Sequence, residues 1–208
     1  MEATHDLARQ DSLNESSLNQ ALATRFARDL IYTYVGDILL AVNPYADLPL
    51  YDNIHSLRYT KVSSKAEHPP HLFAIADAAF TQMMRTRQPQ VAVISGESGA
   101  GKTFSTRLFI RQVSPSTPGR TNPVLEAFGN AQTVMNSNSS RFGKFIELQF
   151  TTQGRVVGAR LAHYLLEKAR VVSQGEGERN FHIFEMLIEG CDDEERRRTG
   201  LHLSDEWQ

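Results

Sequence analysis

A chain of 208 residues with 40% hydrophobic and 22% charged side chains is long enough to bury a core and too apolar to be globally disordered. Its formal charge of −2 excludes the broad basic field of general nucleic-acid binding, and its single cysteine, Cys191, excludes an internal disulfide. No apolar run reaches membrane-span length and the start MEATHDLARQD lacks the centre of a secretory signal, so a cytoplasmic protein touching neither membrane nor nucleic acid is expected.

Residues 1–21 read as a polar lead-in, frayed or weakly helical. Leu18, Leu22, Phe26 and Leu30 are spaced along one helical face. IYTYVG and DILLAV predict two strands or one bent strand, and NPYADLPLYDN an ordered loop. Beyond HPPH, Phe73, Ala76, Phe80 and Met83 form a helical stripe that stops before Pro89. Val91–Ser95, largely β-branched, predicts a buried parallel strand. Leu108, Phe109 and Val113 predict a helix, and SPSTPGRTNP a break. In FIELQF, Ile146, Leu148 and Phe150 share one face of a strand. TTQG is a turn, RVVGARLAHYLL a returning strand that leads into a helix, and ERNFHIFEMLIEG a helix ended by Gly190. DDEERRR reads as a solvated helix face. Strands alternating with helices imply an α/β fold with a mixed β-sheet flanked by helices.

Between the predicted strand and helix lies GESGAGKT, which matches the phosphate-loop pattern G-x-x-x-x-G-K-[ST] at every required position. Glycines allow the tight turn and leave backbone N–H groups free to surround phosphate oxygens. Lys102 can reach the β- and γ-phosphates, the Thr103 hydroxyl can hold Mg²⁺, and the positive end of the following helix faces the same phosphates. The pattern alone does not separate a motor from a small GTPase or a nucleotide kinase. A second constellation puts Asn136, Asn138, Ser139, Ser140, Arg141 and Lys144 within nine residues. Such amides and hydroxyls can bind phosphate or metal-bound water, although by composition alone a polar loop between helix and strand is the simpler reading.

GESGAGKT, NPVLEAFGNAQT, NSNSSRFGKF, YLLEKARVV and ERNFHIF occur in the order found in the myosin motor head and resemble its segments. IYTYVGDILLAVNPY and PPHLFAIADAAF resemble its upstream parts, and FTTQGRVVGAR resembles unconventional classes, class III among them. The resemblance implies a P-loop NTPase fold with ATP and Mg²⁺ as ligands, actin filaments as partner and the actin cytoskeleton as location. Asn43, Pro44 and Tyr51 would flank adenine; from the residues alone they read as an Asn-Pro turn and an interior tyrosine. Gly96, Glu97, Ser98, Gly99, Ala100, Gly101, Lys102 and Thr103 would hold the triphosphate. NSNSSRFGK resembles switch I. That match places Asn136 and Asn138 near phosphates, Ser139 near the attacking water, and Ser140 beside Thr103 on Mg²⁺. Arg141 matches the arginine that closes on a switch II glutamate. Lys102, Ser139 and Arg141 would then carry catalysis.

The chain also departs from the family pattern. No D-x-x-G-F-E-like segment occurs before Gln208, Phe104 stands where an acidic residue is usual, and Glu185 replaces an aromatic. The stretch from Arg107 to Asn122 is short and carries Pro115, Pro118 and Gly119. The expectation is a partial motor domain over 22–208 that stops before switch II and the actin-binding region. Its sheet edge would be open and Arg141 would lack its switch II glutamate. Two functions compete: the ATP-binding part of an actin-based motor ATPase, and a non-catalytic nucleotide- or partner-binding module. No N-K-x-D segment supports a GTPase.

Overall fold

The computed structural model describes residues 5–10, 12–60, 68–114 and 123–200. These fall into two compact units, Met1–Gly119 with Gln149–Val157, and Arg120–Leu148 with Gly158–Gln208. The predicted break SPSTPGRTNP lies almost wholly outside the described residues.

In the first unit the lead-in docks. Leu7 is buried, the Asp6 carboxylate accepts from the N–H groups of Ala8 and Gly36 at 3.0 Å each, and Asp6 forms a parallel bridge with Tyr34. One buried leucine and a carboxylate spanning two backbone amides hold this stretch, which by sequence reads as frayed or weakly helical. Helix α1 (Glu15–Phe26) starts at a capping box in which Asn14 and Ser17 exchange side-chain hydrogen bonds. Strands β1 (Tyr32–Val35) and β2 (Ile38–Ala41) form an antiparallel hairpin in register Tyr32 to Ala41. Its tight turn puts Gly36 at φ +59°, a conformation that favours glycine. Helix α2 (Asn53–Arg58), capped by Asp52, was not foreseen, because six residues are too few to show a stripe.

The predicted stripe becomes helix α3 (Leu72–Thr86), with His71 as its N-cap and Arg87 in the left-handed conformation at its end. Helix α4 (Lys102–Val113) packs beside it. Ile31, Tyr32, Tyr59, Leu72, Phe73 and Leu108 make the core, with Phe73 wholly enclosed. The TTQG turn belongs to this unit: the ring centroids of Phe150 and Phe80 lie 5.7 Å apart, and the Arg87 guanidinium donates to the Thr152 carbonyl.

Val91–Ser95 corrects the strand expectation. The segment carries no assigned secondary structure, among the described residues no strand pairs with it, and Val91 and Val93 are 77% and 85% exposed. A parallel strand acquires its identity from neighbours on both edges, and β-branched composition alone does not supply them.

In the second unit helix α5 (Pro123–Gly129) opens on proline, whose missing N–H costs nothing at a first helical position. It leads into strand β3 (Asn130–Thr133), paired antiparallel with β4 (Asn136–Ser140), with a register shift between Ala131 and Thr133. Gly129 is required by space, since a Cβ there would stand 2.3 Å from the Phe142 ring. Strands β5 (Gly143–Phe150) and β6 (Val156–Tyr164) form a hairpin, and Ile146, Leu148 and Phe150 alternate inward as expected. Only a short 3-10 turn at Lys168–Val171 follows, in place of the predicted helix. Helix α6 (His182–Gly190) ends where Gly190 predicts, and α7 (Asp193–Thr199) is the solvated charged helix, capped by Asp192.

The described strands therefore form three two-stranded sheets rather than the single mixed sheet expected. Among the described residues no helix is long and apolar enough to cross a membrane.

Candidate functional site

The phosphate-loop pattern folds into a glycine-shaped turn at the head of α4. Gly99 and Gly101 take φ of +79° and +95°, and Gly101 caps the helix with no side-chain hydrogen bond. The first N–H groups of α4 thus have no intrahelical acceptor and point toward the loop with the positive end of the helix dipole. Lys102 folds back over the loop, donating to the carbonyls of Gly96 at 2.8 Å and Glu97 at 2.7 Å. An ammonium has three donors, so one remains for an incoming anion. Gly96, Glu97 and Ser98 lie exposed, Ala100 donates its N–H to the Glu97 carbonyl at 3.2 Å, and Thr103 is exposed one residue into the helix.

The loop 43–51 closes over the same helix end. The Asn43 side chain donates to the Gly99 carbonyl at 2.7 Å and accepts from the Tyr45 N–H at 3.0 Å, which ties this loop to the phosphate loop. Asn43, Pro44 and Tyr51 line a cavity of about 260 Å³ together with Ala100, Gly101 and Phe104. The sequence-predicted adenine and phosphate residues of this unit are therefore neighbours.

Tyr51 is held from several sides. Its backbone carbonyl accepts from Arg111, and its hydroxyl shares a 3.0 Å hydrogen bond with that of Tyr32. Burial raises both phenols above their ordinary range, so both stay protonated. Next to Tyr51, the Leu50 carbonyl accepts from Nε2 of buried His71, whose Nδ1 accepts from the Phe73 N–H. Those roles require the neutral imidazole, and burial lowers the His71 pKa to about 4.

The polar constellation lies in the second unit, where β4 replaces the expected loop. Asn136 Oδ1 accepts from the Asn138 N–H at 2.9 Å. Asn138 Oδ1 accepts from Asn130 at 2.9 Å and faces His182 Nε2 at 3.0 Å. Ser139 is buried, and its hydroxyl accepts from Arg141 at 3.1 Å. Arg141 also meets Glu167 at 2.7 Å, an acidic partner other than the switch II glutamate that the resemblance implies. Glu167 in turn meets Arg170, 3% exposed, at 2.7 Å, and Arg170 meets Glu178 at 2.8 Å. The Arg141 guanidinium first, then that of Arg170, holds the Glu167 carboxyl below the usual carboxylate range. The hint in the sequence was a lone Glu-Lys-Ala-Arg embedded in the apolar run YLLEKARVV.

Thr103 in the first unit and Ser140 in the second each carry a hydroxyl oxygen, a hard donor of the kind Mg²⁺ accepts. Among the described residues no group of three or more His, Cys, Asp and Glu side chains could hold a metal ion.

A family model for the myosin head (motor domain) matches residues 4–208. Unconventional myosin-Ic from Bos taurus is 48% identical over 200 residues, which cover 90% of this chain and 19% of that protein. Unconventional myosin-VI from Homo sapiens is 46% identical over 92% of this chain and 15% of its own length. Myosin-VIIa from Drosophila melanogaster is 42% identical over the whole chain and 10% of its own length. The chain thus spans a fifth or less of these curated relatives. With the phosphate loop, its capping glycines and the tethered loop 43–51 all in place, this chain belongs to the myosin head (motor domain) family.

Proposed function

We propose that residues 22–208 are part of a motor domain with a P-loop NTPase fold, and that they hold ATP for an actin-based cytoskeletal motor in the cytoplasm. The carrying observation is the cavity between loop 43–51 and the head of α4, with Asn43, Pro44 and Tyr51 on one side and Ala100 and Gly101 on the other. The base would enter that cavity. The triphosphate would run along Gly96–Thr103, where backbone N–H groups, the helix dipole and the Lys102 ammonium oppose its charge. Asn136, Asn138 and Ser139 are assigned to the γ-phosphate and the attacking water. Thr103 and Ser140 are assigned to Mg²⁺, which when bound would neutralise phosphate charge. Asn43 works as a tether, since both ends of its amide are already engaged.

A second reading, a module that holds nucleotide without turning it over, draws support from the second unit. There Arg141 is committed to Glu167, and Asn138 to Asn130 and His182. Titration of the 208-residue chain with a ribose-labelled fluorescent ATP and Mg²⁺ tests the shared part of both readings. Lys102→Ala removes a charged phosphate contact and should weaken binding by roughly ten- to 100-fold. Equal affinity in variant and wild type would refute the site. Phosphate release, with and without filamentous actin, separates the motor from the holding module.

A further inference from the structure

Phe104 follows Thr103 in the first turn of α4 and belongs to the cavity wall rather than the core. Its side chain remains 44% exposed. Its ring stands edge-to-face to Tyr51, centroids 5.2 Å apart at an interplanar angle of 75°. The two rings form a corner, and the Arg107 guanidinium lies 5.9 Å from the Phe104 centroid, flanking it.

The polar groups around this corner read a base weakly. The Asn43 amide already gives one N–H to Gly99 and one oxygen lone pair to Tyr45, which leaves it one N–H, a donor that either purine can accept. Tyr32 and Tyr51 share one hydrogen bond, so a single phenolic O–H is left over. A lone donor is accepted equally by a ring nitrogen of adenine and the carbonyl of guanine. Asp47 sits exposed at the rim, where a hydrogen bond to an exocyclic amine competes with water. Ser105 adds a hydroxyl, which can donate or accept and so suits either purine, and much of the rest of the wall is aliphatic, including Ile31, Val42, Pro44 and Leu48.

We propose that Phe104 is a specificity-determining residue of this pocket: with Tyr51 it makes a stacking corner that holds the base through its aromatic face. The inference rests on the nucleotide-binding reading above. Both purine nucleoside triphosphates present the same kind of face to such a corner, and inorganic tripolyphosphate presents none. Stacking of a base on an aromatic side chain is worth roughly five- to 150-fold in affinity.

The test compares Mg²⁺ complexes of ATP, GTP and tripolyphosphate by calorimetric titration of the full chain, as wild type, Phe104→Ala and Phe104→Leu. The leucine variant keeps apolar bulk without a π-face, and thermal melting of each variant reports its folding. The wild type should bind ATP and GTP within about fivefold of each other, and tripolyphosphate at least tenfold more weakly. Phe104→Ala should weaken both nucleotides about tenfold and leave tripolyphosphate unchanged, with Phe104→Leu in between. Unchanged nucleotide affinity in both variants would overturn the inference, as would a hundredfold preference for ATP over GTP. Tripolyphosphate binding as tightly as ATP, still sensitive to Lys102→Ala, would overturn the base corner while leaving the phosphate site standing. No binding of any of the three would overturn both.

Discussion

Acid should loosen the support of loop 43–51, which lines the cavity, through His71. This side chain is buried, caps α3 through Nδ1 and holds the Leu50 carbonyl through Nε2 at 3.1 Å, one residue before Tyr51. Its ring packs on Tyr59 and Tyr32, each with centroids 4.9 Å away, so a positive charge there would be poorly solvated. The folded-state pKa lies near 4, against 6.5 for a free imidazole, so the unfolded chain takes up the proton first. The stabilisation is therefore complete above pH 6.5 and declines as pH falls toward 4. Linkage over that interval gives a loss of about 2 kcal/mol by pH 5 and about 3 kcal/mol by pH 4. Urea unfolding of wild type and His71→Asn from pH 7 to pH 4.5 measures it. Asparagine still caps the helix but does not titrate, so the variant starts lower and should lose about 2 kcal/mol less between pH 7 and pH 5. Parallel stability–pH curves for the two proteins would refute the reasoning.

Two further substitutions probe the pocket tether and the charge network. Asn43→Ala removes the 2.7 Å bond to Gly99 and the support of Tyr45, so stability should drop by about 1 kcal/mol. ATP binding should weaken severalfold while tripolyphosphate binding changes less, as read by titration. Glu167→Gln removes the carboxylate shared by Arg141 and Arg170, while Arg170 keeps Glu178 and the Arg179 carbonyl. With the Glu167 side chain 37% exposed, the expected cost is about 1–2 kcal/mol, seen as a lower urea midpoint. An unshifted midpoint would show that this network contributes little.

Local signals were legible in the sequence wherever the chain satisfies itself nearby. The α3 stripe, two strands at β1 and β2 and the alternation of β5 became expected elements. Each depends on contacts within a few residues or on one adjacent element. Val91–Ser95 failed because a parallel strand is defined by distant partners that its own composition does not encode. β3 and β4 were hidden for the opposite reason: NAQT and NSNSS are polar, and their pairing depends on backbone register and on buried Asn130 and Ala131. The pocket residues Asn43, Pro44 and Tyr51 came from the family resemblance, whereas by composition they are an Asn-Pro turn and an interior tyrosine. Phe104 was visible only as a departure, and its place beside Tyr51 required the structure. The partner of Arg141 was also out of reach, since the Glu167 that meets it is 26 residues away.

Backbone hydrogen exchange of the 208-residue chain, with and without Mg²⁺-ATP, tests the central claim most directly, because it reports where nucleotide sits without relying on a substitution. The amides at the head of α4 and along 96–105 have no intrahelical or sheet partner that would already protect all of them, so a bound triphosphate should slow their exchange markedly. The loop 43–51 should gain protection with them, since it shares the cavity wall. Slowed exchange in both segments is the result expected. Exchange in 96–105 and 43–51 that is identical with and without saturating Mg²⁺-ATP would contradict the account.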